Sequence, residues 1–188
     1  MELTSSYTLP IARETVWQAL NDPAALKACI AGCEKFERVS DHEFAATVMA
    51  SIGPVKARFS GKVLLAEVDA PHGYTLNFEG QGGAAGFGKG SARVELVSEG
   101  GSTRLTYRAK AQVGGKLAQV GSRLIDGAAK KMADDFFEKF VAQLGGSKAA
   151  PVEAAAHAAP AGDTVIHPAL IALALAGVVA VLYVLTHA

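Results

Sequence analysis

The sequence has few cysteines, no excess of either charge and no apolar leader. Only Cys29 and Cys33 are present, and 18 basic residues balance 18 acidic ones in the 188-residue chain. Two thiols are too few for the disulfide framework of a small secreted protein, and a neutral chain lacks the positive surplus that attracts nucleic acids. The first ten residues, MELTSSYTLP, contain neither a basic group nor an apolar run, so they predict no signal peptide. We therefore expect a cytoplasmic domain with reduced thiols.

Charged residues are also absent from the C-terminal end of the chain, where none occurs between Ala169 and Leu185. As a helix, residues 165–186 would be roughly 33 Å long, enough to cross a hydrocarbon core of about 30 Å. Tyr183 would then lie at the depth of an interfacial aromatic residue. A buried core helix is the alternative, but the segment has no polar face. We predict a single transmembrane helix in the cell inner (cytoplasmic) membrane, with its short C-terminus outside and the domain in the cytoplasm.

A segment rich in alanine, glycine and proline connects this apolar end to the rest of the chain. Residues 146–164 contain almost no large apolar side chain, so burial cannot offset the entropy of ordering them. We predict a flexible tether with an r.m.s. reach of about 25 Å. All 18 basic residues lie at or before Lys148, which leaves a small positive excess on the domain side. The chain therefore divides into a domain (1–145), a tether (146–164) and a transmembrane helix (165–186).

Alternating apolar and polar residues predict strands through most of the domain. The predicted strands cover residues 2–9, 34–39, 43–50, 55–68, 74–80, 90–98 and 103–113, with two short helices at 12–20 and 22–30. From Leu117 to Leu144, apolar residues recur every three or four positions, which predicts one amphipathic helix of about 28 residues. This order predicts an α+β fold in which a curved antiparallel sheet surrounds one long C-terminal helix. Small residues early in that helix, such as Gly127 and Ala128, either leave a cavity or allow close packing, and both alternatives stay open.

The motifs of the chain do not point to catalysis. Residues 83–90, GAAGFGKG, approach a phosphate-binding loop, but Gly90 replaces the Ser/Thr and the next residues alternate like a strand. The alternatives for this segment are a loop in which Phe87 gates a cavity mouth and a plain hairpin loop. Cys29 and Cys33 lack the further Cys or His residues that a zinc site needs. We predict two packed thiols, no metal site and no enzymatic activity.

Several stretches, in the expected order, resemble the CoxG family of carbon monoxide dehydrogenase subunits over about residues 1–145. They are VWQALNDP (16–23), CIAGCE (29–34), GPVKARFSGKV (53–63), GGAAGFGKG (82–90) and QVGGKLAQVGSRLID (112–126). The second stretch departs from the family's frequent CIPGCE at Ala31. The resemblance implies a START-like (SRPBCC) helix-grip fold that encloses a cavity for an apolar ligand. It also implies a role in recruiting a molybdenum hydroxylase of the carbon monoxide dehydrogenase type to the cytoplasmic membrane.

The resemblance and the predicted anchor together suggest a functional hypothesis. The protein is a membrane-anchored accessory protein whose cavity receives a respiratory quinone, menaquinone or ubiquinone, with no covalently bound cofactor. The quinone would couple the partner enzyme to the respiratory chain. The alternatives are a purely structural anchor, a lipid carrier unrelated to redox chemistry, and an enzyme on the same fold, which an apolar cavity wall disfavours.

The candidate wall of the cavity follows from the faces on which the predicted residues lie. The candidates are Phe59, Leu76, Phe78, Phe87, Val94, Tyr107, Val120, Leu124 and Ala128. Two roles are open for Tyr107, because its hydroxyl could bind a quinone carbonyl or could be satisfied inside the core.

Overall fold

Every alternating segment of the sequence forms a strand in the structure. The computed structural model describes residues 2–146 and the backbone of residues 150–151. The strands are β1 (Glu2–Leu9), β2 (Cys33–Ser40), β3 (Glu43–Ile52), β4 (Val55–Asp69), β5 (Gly73–Gln81), β6 (Phe87–Glu99), β7 (Ser102–Gly114) and the short β8 (Ala150–Pro151). The helices are α1 (Arg13–Leu20), α2 (Pro23–Cys29), α3 (Lys116–Gln119) and α4 (Ser122–Gln143), and a 3₁₀ turn covers Gly83–Ala85.

The strands form one antiparallel sheet in the order β2-β3-β4-β5-β6-β7-β1-β8. Strands β2 to β7 follow one another as a meander, and β1 returns to pair with β7. The outer face is polar and carries ion pairs between neighbouring strands, such as Lys62–Glu79 at 3.3 Å and Lys110–Glu2 at 2.7 Å. The inner face is apolar and covered by helices, which confirms the predicted curved antiparallel sheet of seven long strands with a C-terminal helix.

Helix α4 covers the inner face through three phenylalanines, Phe136, Phe137 and Phe140, which are at most 3% exposed. The ring of Phe137 lies 4.1 Å from that of Tyr7 in β1, between centroids. The Tyr7 hydroxyl donates a hydrogen bond of 2.9 Å to Asp134 Oδ1 of α4. Aromatic pairs of this kind add about 1 kcal/mol to the stability that burial supplies, so the contact fixes α4 above β1.

The prediction of one 28-residue helix is wrong. The chain breaks at Gly121, whose φ of +92° is a left-handed conformation that glycine adopts without a steric penalty. Helix α4, of 22 residues, therefore begins at Ser122. The residues on its buried face are not those that a helix continuing from α3 would bury. As a result Leu124, predicted on the inner face, is 54% exposed, whereas Ile125 and Ala129 are buried.

The predicted transmembrane helix and residues 147–149 and 152–164 of the tether lie outside the described residues. Among the residues that the structure describes, no helix is both long and apolar enough to cross a membrane.

Candidate ligand-binding interior

The inner face brings together most of the residues predicted to line a cavity. The buried ones are Phe59, Leu76, Phe78, Val94 and Tyr107. The two half-buried ones are Val120 and Ala128, and the two exposed ones are Phe87 and Leu124. Strand pairing explains the first group, because inward positions of adjacent strands lie opposite each other, as Val94 does with Tyr107.

Phe87 does not lie in the long loop that the sequence predicts. The 3₁₀ turn Gly83–Ala85 shortens that loop, and Phe87 is the first residue of β6. Its ring lies against Gly114 of β7, in the space that a side chain at Gly114 would occupy. At 43% exposure, the remaining surface of the ring faces outward.

An apolar cavity of about 50 Å³ lies between α2, the sheet and α4. Its lining includes Leu26, Ile30, Phe36, Phe44, Leu76 and Phe136. Of the predicted wall residues only Leu76 lines this cavity, because the prediction did not consider helix α2. The spacing of the apolar residues Leu26 and Ile30, four positions apart, could have indicated that this helix has an inward-facing side.

This cavity is too small for a benzene-sized or larger apolar ligand in its present form. An engineered cavity of about 150 Å³ is the kind that binds benzene, roughly three times this volume. The larger depression, of about 620 Å³, lies on the outer face among charged residues such as Lys62, Glu79 and Lys110. Its charged walls do not suit an apolar ligand, so the interior remains the candidate site and would have to widen on binding.

The hydroxyl of Tyr107 already has partners inside the core. It lies in hydrogen-bond contact with Ser5 and Tyr7 of β1, and burial raises the pKa of Tyr107 well above its usual value. Since Tyr7 in turn donates to Asp134, the three groups form a chain from the sheet to α4. These contacts satisfy the Tyr107 hydroxyl inside the core, which is one of the two roles open for this residue.

Asp126 is a buried polar group that the sequence did not single out. It is 5% exposed, and its neighbours Ile125 and Ala129 in α4 are also buried. Its Oδ1 atom has no hydrogen-bond partner among the described residues. Burial raises the pKa of its carboxyl. A buried polar atom without a protein partner is rare, and such an atom is often satisfied by a bound water or ion.

The position of Asp126 along the sheet follows from the course of α4. Asp134 contacts Tyr7, and the end of α4 lies near Ile11, because a Cβ added at Gly146 would come within 3.1 Å of Ile11 Cγ1. Helix α4 and β1 therefore run in the same direction. Asp126, about two turns before Asp134, lies over the Leu3 end of β1. The sequence did not predict the burial of Asp126, because a helix that ran without a break from Leu117 would place residue 126 on its solvent-facing side.

Replacing Asp126 by Asn is expected to stabilise the domain at pH 7 by about 1 kcal/mol, because an ionised buried carboxylate loses its hydration. The pKa of the Asp126 carboxyl is higher in the folded domain than in the unfolded chain. The parent domain is therefore most stable when this carboxyl is protonated, at pH values below its unfolded-state pKa, and it loses that stability as pH rises through the folded-state pKa. The gain should therefore shrink as pH falls towards about 4. Denaturant unfolding of a chain ending at residue 153, with and without the substitution, at both pH values checks this. An Asn variant less stable than the parent at pH 7 would contradict it.

The two cysteines are packed thiols in the structure. The buried Cys29 donates from Sγ to Gln143 Oε1 at 3.1 Å, and burial raises the pKa of this thiol to about 11. Cys33 Sγ donates to the Lys35 carbonyl at 3.3 Å. Within the described part of the chain, no group of three or more His, Cys, Asp or Glu residues is arranged to hold a metal ion.

Residues 6–145 match the sequence profile of the family described as the carbon monoxide dehydrogenase G subunit (CoxG). The chain belongs to this family. The match covers strands β1 (from Ser6) to β7 and all four helices, so the CoxG family accounts for the domain but not for β8 or the apolar C-terminal segment. No curated protein matches the chain at a significant level.

Solved structures share the fold of this CoxG domain. A conserved protein from Geobacillus kaustophilus is 32% identical, with a TM-score of 0.73 over 77% of this chain and 95% of that one. The protein TTHA0849 from Thermus thermophilus is 15% identical, with a TM-score of 0.54 over 76% and 99%. The ZhuI aromatase/cyclase from Streptomyces sp. R1128 is 8% identical, with a TM-score of 0.55 over 76% and 92%. The last two show the helix-grip fold alone, and the fold therefore hosts enzymes as well as other proteins.

Proposed function

We propose that this protein is a membrane-anchored accessory protein of a molybdenum hydroxylase of the carbon monoxide dehydrogenase type. Its role is to recruit that enzyme to the cytoplasmic membrane and to bind a respiratory quinone that couples it to the respiratory chain. The observation that carries the proposal is the family match over residues 6–145, followed by the uncharged apolar segment in residues 165–186. The segment has the length of a bilayer-spanning helix.

The interior supplies the two features that a quinone requires. Its inner face is lined with apolar side chains, which suit the isoprenoid chain and the ring faces. Asp126 supplies a polar group whose raised pKa favours uptake of a proton when a quinone binds, and the protonated carboxyl can then donate a hydrogen bond to a quinone carbonyl. Quinone binding would thereby give a partner to Asp126 Oδ1, which has none among the described residues. In this proposal the protein binds and presents the quinone, and the redox chemistry belongs to the partner enzyme.

A purely structural anchor is the second candidate. The small volume of the apolar cavity, about 50 Å³, favours it, because no quinone ring fits without movement of α2 or α4. The two candidates differ in whether the purified protein carries a ligand.

Quinone retention by the full-length chain distinguishes the candidates. The protein is purified in detergent from bacterial membranes, extracted with organic solvent and analysed by mass spectrometry. We expect close to one quinone per chain, and a several-fold loss on Asp126→Ala. The matched control is Asp135→Ala, because Asp135 lies on the same helix but pairs with Lys131 at the surface. An empty, folded protein that takes up no added menaquinone or ubiquinone would leave the structural anchor as the function.

A further inference from the structure

Three turns gather at one end of the domain, which we call the tip and define as residues 53–57, 82–89 and 112–124. A Cβ added at Gly53 would lie 3.2 Å from Val120 Cγ1 and 3.6 Å from Leu124 Cδ1. A Cβ added at Gly86 would lie 2.9 Å from Gly115 Cα. The β3–β4 turn, the segment before β6 and the chain around α3 therefore form one continuous surface.

The tip exposes large apolar side chains. Leu124 is 54% exposed and Phe87 is 43% exposed, although most residues of their size are buried in this domain. Val120 is half-buried beside Leu124. An aromatic and a leucine side chain of this kind are the groups that enter the boundary between lipid headgroups and acyl chains.

The tip is also the basic end of a domain whose overall charge is nearly balanced. It holds Lys56, Lys89, Lys116 and Arg123 and no acidic residue. None of the four forms an ion pair with a carboxylate of the described residues. Unpaired cations on one surface complement the anionic lipids of a cytoplasmic leaflet.

The opposite end of the sheet has the reverse charge. Its turns, residues 38–43, 67–73 and 95–104, contain six acidic and two basic residues. This end also exposes three apolar residues, Val39 at 60%, Val68 at 42% and Val97 at 55%. Charge rather than apolar exposure therefore distinguishes the two ends, and only the tip combines exposed apolar groups with positive charge.

The chain after α4 heads towards the tip end of β1 where it is last described, in β8. Strand β8 pairs antiparallel with β1, with Ala150 opposite Thr8 and Pro151 opposite Tyr7. The chain therefore runs towards Glu2, which pairs with Lys110 just before the tip. Residues 152–164 then lead to the apolar segment, and as a coil they would span roughly 20 Å.

We propose that the tip is a membrane-contacting surface that docks on an anionic lipid bilayer. Leu124 and Phe87 enter the interface, the four basic groups lie among the headgroups, and the acidic end points away from the membrane towards the cytoplasm. The proposal rests on the membrane location proposed above, but it requires no quinone. It fixes the orientation of the domain, which a flexible tether by itself would leave free.

Two tryptophan substitutions test this orientation in the full-length chain. Leu124→Trp reports on the tip, and Val97→Trp is its matched control, since the two positions are 54% and 55% exposed. Both variants keep the native Trp17, whose emission is measured in the parent chain and subtracted. The proteins are reconstituted into vesicles of phosphatidylcholine and phosphatidylglycerol, with or without bromine on the acyl chains.

We expect the emission of Leu124→Trp to shift to shorter wavelength and to be largely lost on brominated vesicles, with neither change for Val97→Trp. Adding Lys116→Glu and Arg123→Glu should restore the emission of Leu124→Trp. Equal quenching at both positions, or none at position 124 in a protein that floats with the vesicles, would overturn the tip proposal alone. A chain that does not float with the vesicles would overturn the membrane anchor as well.

Discussion

A chain that ends at residue 153 is expected to move from the membrane fraction to the soluble fraction. The truncation removes the apolar segment within residues 165–186 but keeps the whole domain and β8. Ten Leu, Ile and Val residues between Ala169 and Leu185 would contribute roughly 3–6 kcal/mol of insertion free energy. The tip alone offers two exposed apolar side chains and four charges, which support only reversible binding. Cell fractionation with an antibody against the domain measures the change.

The matched control for this truncation is an internal deletion of residues 154–163. That variant shortens the tether and leaves the apolar segment intact, so it should remain in the membrane fraction. Activity of the partner enzyme in the two fractions extends the test to recruitment. If the enzyme stays on the membrane when the truncated chain is soluble, the proposed recruiting role is wrong even though the anchor is real.

The sheet was predictable from the sequence because a strand that is buried on one face shows alternating apolar and polar residues. Each predicted strand, from residues 2–9 to residues 103–113, overlaps an observed one, and the buried residues Phe59 and Tyr107 lie on the predicted face. A period of two residues admits only two phases, and a polar outer face selects one of them. Local alternation therefore determined both the strands and their inward side chains.

The helix side of the interior was less predictable because its geometry depends on single residues. The conformation of Gly121 resets the phase of α4, which moves Leu124 outward and Asp126 inward. A glycine in a helical pattern can be tolerated, or it can end the helix, and the sequence does not say which. The contribution of α2 to the cavity depends on tertiary packing, which a local pattern does not contain.

The closed interior and the exposed tip together suggest how a ligand would enter. The tip segments adjoin the N-terminal half of α4, where Asp126 lies, and a second depression at this end is lined by Pro54, Ala85 and Lys116. A route from the membrane to Asp126 would therefore pass between the β3–β4 turn and α3. The left-handed glycines Gly115 and Gly121 flank α3, so the short helix is joined to the rest of the chain at two conformationally adaptable residues. Docking and ligand entry would then share one end of the domain.

Gly90→Ala is expected to destabilise the domain by about 3 kcal/mol or more, because a methyl group at this position has no room. Its Cβ would collide with the Lys110 carbonyl oxygen of β7 and would lie 2.7 Å from Phe78 Cζ. Gly90 is opposite Phe78 in β5 and Ala111 in β7, so the collision is with the neighbouring strand as well as with a core ring. The glycine that spoils the phosphate-loop pattern in residues 83–90 thus has a packing role, which is close approach of backbones within a sheet.

Denaturant unfolding of chains ending at residue 153 measures the effect of Gly90→Ala. The matched control is Gly127→Ala in α4, where a Cβ meets nothing within 4 Å. There the same substitution should stabilise the domain by up to about 1 kcal/mol, because alanine has the higher helix propensity. The two substitutions add the same methyl group, so opposite signs separate steric collision from backbone entropy. Equal stabilisation at both positions would mean that β6 and β7 are less closely packed around Gly90 than the structure shows.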